Sequence, residues 1–272
     1  ARAVLRRLLQ RRRIDVCCCG LSKTGTHSMA GIFENYRSEH HPDLSTRLPL
    51  ATAYAKGPAK ADCVREGATG YGRSLAEHAK AVLERQDRWM WLEMESSALA
   101  GILIEPMVEA CPDKKFILTI RDVYSWCDSW LDHNINSPPQ ATSPFARLDH
   151  VRLRVGQYSP TKYDAPLIDR GFPPLACYFQ LWRSHNMGVL DAVPGDRLFV
   201  IKTNEIIDTL PRLADWLGIP VDTLKKDKGW LFAAPKKHGT LGKLDPVYVR
   251  ETADAICGTL MQRYFPDTVT AA

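Results

Sequence analysis

Nowhere in the 272 residues does an apolar run approach the length of about eighteen that a membrane span requires. The first residues also lack the apolar centre of a secretory signal. Eight cysteines are present, but no C-x-x-C pair has a matching second pair, which argues against a zinc site. Three of the eight are adjacent, Cys17 to Cys19, and the expectation is free thiols in a reducing, cytoplasmic compartment. The start at Ala1 rather than at a methionine leaves an upstream anchor open. An excess of charge of one sign is also lacking. The net is only +5, and much of it lies in residues 1–13, where Arg2, Arg6, Arg7, Arg11, Arg12 and Arg13 surround Val4, Leu5, Leu8 and Leu9. That segment reads as a basic amphipathic helix, which either packs its leucines on the domain or touches nucleic acid, an anionic membrane surface or a partner protein. No aromatic residue interleaves with the arginines, so no nucleic-acid partner is expected. With 45% hydrophobic residues the remainder, 14–272, can bury a sizeable core and is read as one domain.

The chain is organised around IDVCCCGLSKTGTHSM, Ile14 to Met29. Ile14, Val16 and Cys17 to Cys19 suit a parallel strand covered on both faces. Gly20 and Gly25 let backbone amides approach an anion, and Thr26, His27 and Ser28 open a helix whose N–H groups point at negative charge. A Walker loop, G-x-x-x-x-G-K-[ST], needs a lysine and then a hydroxyl after the second glycine. Here those positions hold Thr26 and His27, and the lysine lies inside the loop as Lys23. That departure counts against a kinase or NTPase, the first alternative; a non-catalytic nucleotide-binding protein is the second.

The arrangement SKTGTHS resembles the 5′-phosphosulfate loop of sulfotransferases, enzymes that use 3′-phosphoadenosine 5′-phosphosulfate (PAPS) without a metal. A second stretch, KFILTIRDVYSWCDSW from Lys115 to Trp130, carries the same resemblance. Its buried strand Phe116 to Ile120 ends in Arg121, a helix starts near Val123, and Ser129 lies two helical turns beyond Arg121. In the family an arginine and a serine so spaced hold the 3′-phosphate, where a guanidinium fork suits a phosphate dianion. Leu217-Gly218-Ile219-Pro220 and the pair Asn204-Glu205 fit the family loosely, as does the basic loop Lys236, Lys237, His238 and Gly239, which occupies the place of its last donor-binding loop.

Between these motifs the pattern predicts helices over His27 to Tyr36, Arg73 to Arg88, Leu99 to Ala110, Leu175 to Asp191, Pro211 to Leu217 and Pro246 to Tyr264. Strands are expected at Trp89 to Met94 and Leu198 to Lys202. Ser38 to Gly72 and Asp132 to Pro174 read as irregular, the second as the place of acceptor specificity. The fold class is therefore α/β, a parallel sheet flanked by helices in a P-loop-like sulfotransferase architecture.

The resemblance implies transfer of a sulfuryl group from PAPS, giving 3′-phosphoadenosine 5′-phosphate (PAP), to a hydroxyl or amine of a small molecule, glycan or lipid. Lys23 would neutralise the leaving bridging oxygen. The amides of Thr24, Gly25, Thr26, His27 and Ser28 would hold the 5′-phosphate, and Arg121 with Ser129 the 3′-phosphate. For the proton-accepting base the family offers a histidine after the second strand or a glutamate in a Glu-x-Ser-Ala-like segment. With the second strand expected at Trp89 to Met94, the choice is Glu95, with Glu93 second.

Overall fold

The computed structural model describes residues 12–57, 74–229 and 235–271. Of the basic segment 1–13, residues 1–11 lie outside the described residues. Arg12 and Arg13 are bound into the fold, Arg12 to Asp15 and Asp87 and Arg13 to Glu93.

Five strands form the sheet: β1 (Val16–Cys18), β2 (Ser38–His40), β3 (Met94–Ser96), β4 (Lys115–Ile120) and β5 (Leu198–Lys202), in the order β2-β3-β1-β4-β5. β1 runs parallel to β3 and β4, and β2 parallel to β3. Around and after them come α1 (Thr26–Ile32), α2 (Leu44–Ala55), α3 (Leu75–Met90), α4 (Ala98–Ile102), α5 (Ile104–Ala110), α6 (Val123–Asn136), α7 (Pro144–Arg152), α8 (Ala165–Ile168), α9 (Leu175–Ala192), α10 (Ile206–Leu217) and α11 (Pro246–Tyr264). The fold is the expected α/β class, a parallel sheet flanked by helices. The chain leaves β1 toward β2 and β4 toward β5, so the topological switch point, where open α/β sheets bind ligands, falls between β1 and β4 at their carboxyl ends.

The chain divides into two compact units, residues 1–119 with 188–232, and residues 120–187 with 233–272. In the first, side chains alternate across the sheet. Val16, Cys18, Met94, Ile117 and Ile201 pack with Met29 and Ile32 of α1, the Phe33 that follows it, and Leu210 and Leu213 of α10 in one apolar core. Cys17 and Glu95, adjacent in register, belong to the opposite face, where Arg47 of α2 and Gln86 of α3 are buried. In the second unit α6 starts at the N-cap Asp122, whose carboxylate accepts from the Ser125 N–H. Buried Trp126, Tyr178 and Trp182 fill its core, and the Tyr248 hydroxyl donates to the buried Asp164 carboxylate at 2.9 Å.

Four expectations are corrected. Trp89 to Met94 is not a strand. A capping box between Ser74 and Glu77 starts α3, which runs to Met90 and ends at the left-handed Trp91, while Trp89 is 73% exposed. The strand lies further on, at Met94–Ser96. A strand also occurs in the stretch read as irregular, since Ser38–His40 forms the β2 edge with no apolar residue to betray it. Asp132 to Pro174 likewise holds the end of α6 and the short helices α7 and α8, and α10 begins at Ile206, five residues before Pro211.

Candidate active site

The loop after β1 is held by small residues and hydroxyls. A Cβ on Gly20 would lie 1.9 Å from Thr119 Oγ1 and 2.7 Å from Thr24 Oγ1, so only glycine fits against β4 there. The Thr24 hydroxyl donates to the Leu21 carbonyl at 2.7 Å and lies 2.9 Å from Thr119 Oγ1, while the Thr203 hydroxyl donates to the Thr24 carbonyl at 2.8 Å. Within this clamp Lys23 adopts a left-handed backbone at φ 71°, uncommon for a side chain that size. Gly25, at φ 100°, is the N-cap of α1. Thr26 and Ser28 are buried in that helix's first turn.

Three histidines gather beside the loop. His27 stands in the first turn of α1, His40 ends β2 and His41 follows it. The His27 and His40 ring centroids are 3.6 Å apart, those of His40 and His41 4.0 Å. His40 Nε2 lies 3.3 Å from Thr26 Oγ1, and His41 Nδ1 lies 2.7 Å from Ser97 Oγ. The Ser97 oxygen accepts from the Leu99 N–H as the N-cap of α4. Burial first, then the neighbouring His41 and His27, lowers His40 to about 3; burial and then His27 lowers His41 to about 4. His27 is lowered by burial and by the positive charge of Lys23. All three imidazoles are therefore neutral near pH 7, the state in which a ring nitrogen accepts a proton.

The structure does not bring Glu93 or Glu95 to this cluster. Glu93 precedes β3, at the opposite end of the strand from the loop edge. Burial raises its carboxyl, but donors from the Arg13 side chain and the Arg13 and Arg37 amides outweigh that and hold it at about 2. Glu95 lies within β3 on the face away from the apolar core. Its carboxylate meets the Arg47 guanidinium at 3.0 Å, with both side chains at 5% exposure or less. Burial raises Glu95, and Arg47 and Lys114 more than offset it, so the group stays ionised in a closed pair.

In the second unit, Arg121 is half-buried after β4 and its backbone carbonyl accepts from the Trp182 indole at 2.9 Å. Its Nε donates to Ser125 Oγ at 2.9 Å. Ser129 lies one turn further along α6 and is not bonded to Arg121. The basic loop is pinned to the same helix. Asp132 accepts from the His238 N–H at 2.8 Å, and Asn136 donates to the Lys236 carbonyl at 2.8 Å. Lys236, Lys237 and the left-handed Gly239 are exposed.

The family model described as "Sulfotransferase domain" matches residues 15–224, more than half of the chain. The chain belongs to the sulfotransferase family. Among solved structures it is similar to a sulfotransferase from Alicyclobacillus acidocaldarius, at 16% identity and a TM-score of 0.47 over 94% of this chain and 96% of that one. It is also similar to sulfotransferase STF9 from Mycobacterium avium, at 14% identity and a TM-score of 0.51 over 97% and 80% respectively. That second likeness is one of fold alone. No curated protein matches the chain.

For this sulfotransferase, sequence reasoning missed His40, His41, Ser97, Thr119, Thr203 and Ser125. The His40-His41 pair was legible as a pair, but its place beside the Lys23 loop depended on recognising β2, which has no apolar signature. The hydroxyls of Thr119 and Thr203 sit some ninety and one hundred and eighty residues from the loop they hold, and no local pattern links them to it.

Proposed function

We propose that this sulfotransferase moves a sulfuryl group from PAPS to an acceptor hydroxyl or amine by in-line displacement, with a histidine of the His40–His41 pair as base. The observation that carries the reading is the Lys23 loop, clamped by Thr119 and Thr203, with the neutral His27–His40–His41 cluster at its side. Family membership supports PAPS as donor, and the residues fit it: a left-handed lysine inside a glycine-bounded loop, and a separate arginine whose backbone and Nε are both held. Lys23 and the loop amides take the 5′-phosphosulfate, and Arg121 with Ser129 the 3′-phosphate, with Lys236, Lys237, His238 and Gly239 beside it.

In the transfer the acceptor oxygen forms a bond to sulfur while the bond from sulfur to the 5′-phosphate oxygen breaks. The acceptor's proton passes to the imidazole lone pair. Lys23 stabilises the negative charge growing on the leaving oxygen, so positioning and charge stabilisation supply most of the rate. His41 has the better-defined orientation. His41 Nδ1 lies 2.7 Å from the Ser97 oxygen, which fixes the plane of the ring beside the loop. The acceptor is a small molecule, glycan or lipid, and the location is cytoplasmic, a reading supported by the buried free thiols Cys17, Cys18, Cys19, Cys111, Cys127, Cys177 and Cys257. Among the described residues no helix is long and apolar enough to cross a membrane.

Two measurements test this. PAP should raise the thermal midpoint without metal, by a linkage of RT ln(1 + [L]/Kd), while ATP with magnesium does so far less. Radiolabelled PAPS incubated with a panel of phenols, sugars and amines should label at least one class. An equal shift from ATP with magnesium would turn the reading toward a kinase.

A further inference from the structure

The arginine expected to hold the 3′-phosphate has an acidic neighbour in sequence, Asp122, and an aspartate beside an arginine ordinarily neutralises it. Here it does not. Asp122 Oδ1 accepts from the Ser125 N–H at 2.9 Å and Oδ2 accepts from the Ser125 hydroxyl. Both acceptor edges of the carboxylate are thus turned onto one serine, and among the described residues no ion pair joins Arg121 to a carboxylate. The Ser125 oxygen, polarised by that carboxylate, in turn accepts from Arg121 Nε at 2.9 Å. The guanidinium is thereby fixed by its Nε edge, and its Nη1 and Nη2 fork is the edge left to an anion. A guanidinium recognises phosphate best through two parallel bonds, so fixing the plane in advance removes the entropy of orienting it.

We propose that Ser125 is a positioning residue for donor binding, acting through Arg121 by diverting Asp122 and orienting the guanidinium fork toward a phosphate dianion. The inference rests on the donor reading above. Ser125 is the residue four beyond Arg121 on α6, and it carries this role in place of a direct bond between Arg121 and Ser129. It also lines a cavity of about 480 Å³ together with Tyr124, Asp128 and Leu241. Removing its hydroxyl therefore opens no hole in a packed core, and alanine favours the helix.

The experiment is a double-mutant cycle on the full chain, with calorimetric titration of PAP into wild type, Ser125→Ala, Ser125→Thr, Arg121→Ala and the double variant. Loss of this one orienting hydrogen bond, which does not itself touch the ligand, should weaken PAP about three- to tenfold in Ser125→Ala. Ser125→Thr, which keeps the hydroxyl, should stay within about twofold of wild type, and Ser125→Ala should change affinity by less than about twofold once Arg121 is alanine. In turnover the loss should appear as a higher donor KM with kcat unchanged. PAP binding unaltered in Ser125→Ala, or an equal loss with and without Arg121, overturns the positioning role while leaving the donor reading intact. No binding of PAP to wild type overturns the donor reading itself and this inference with it.

Discussion

Glu95 and Arg47 meet at 3.0 Å in a pair almost wholly closed to solvent, and that contact separates a structural carboxylate from a chemical one. A general base must reach the substrate, whereas Glu95 is spent on a buried cation. Truncating one partner of such a pair strands the other charge at a cost of about 3–5 kcal/mol. Glu95→Gln should therefore lower unfolding free energy by roughly that amount, and the folded fraction should bind PAP within a few-fold of wild type. Denaturant titration and calorimetry check this; a stable Glu95→Gln protein with turnover down a hundredfold would return the base to Glu95.

Gly20 offers a sharper steric test. With Thr119 Oγ1 at 1.9 Å and the Thr119 carbonyl at 2.8 Å from the added carbon, Gly20→Ala cannot be absorbed by one side-chain rotation. Overpacking at a tight site costs about 1–3 kcal/mol. The expected outcome is that loss in stability together with a weakened PAP response, because the same shift moves Thr24 and with it the loop. A protein as stable as wild type would show that the loop is looser than the structure describes.

Much of this was readable from the residues, for reasons that differ by element. β1 and β4 are short buried runs bounded by glycine or arginine, so composition reveals them, and Lys23 and Arg121 follow from the turn each strand makes. β2 was not readable, because an edge strand of Ser38, Glu39 and His40 has no apolar alternation. The error at Trp89 to Met94 has the opposite cause. An aromatic-rich run imitates a strand, but Trp89 faces solvent at the end of α3. Placing the strand too early moved Glu93 and Glu95 toward an edge they do not occupy, and it left the histidine alternative without a residue. The hydroxyl clamps depend on contacts across the sheet, which no single sequence window contains.

The histidine assignment makes its own mutational prediction. General-base assistance contributes about 10²–10⁴ in rate. Within the pair, His41→Asn should reduce kcat by at least about a hundredfold and His40→Asn by less, each with PAP affinity nearly unchanged. Ser97→Ala, which leaves His41 without its orienting oxygen at 2.7 Å, should cost about tenfold in kcat and nothing in donor KM. Full activity in both histidine variants would discard the imidazole base.

The same histidines set an unusual pH dependence. Burial holds His40 at about 3 and His41 at about 4, with neighbouring imidazoles adding to it, against an ordinary value of 6.5. Since kcat/KM reports the free enzyme, its acid limb should fall near pH 4 rather than near 6.5. Stability should move differently over the same range. A lowered folded-state pKa means that the unfolded chain binds more protons below 6.5, so the stabilisation from neutral His40 and His41 is complete above that value. It is lost as the pH falls from 6.5 toward about 4 and then about 3. Urea unfolding followed from pH 7.5 downward should therefore show stability declining while kcat/KM is still flat, and His40→Asn should flatten part of the decline. An acid limb near 6.5 together with a stability curve unaffected by His40→Asn would mean that the imidazoles are solvated and the cluster is open.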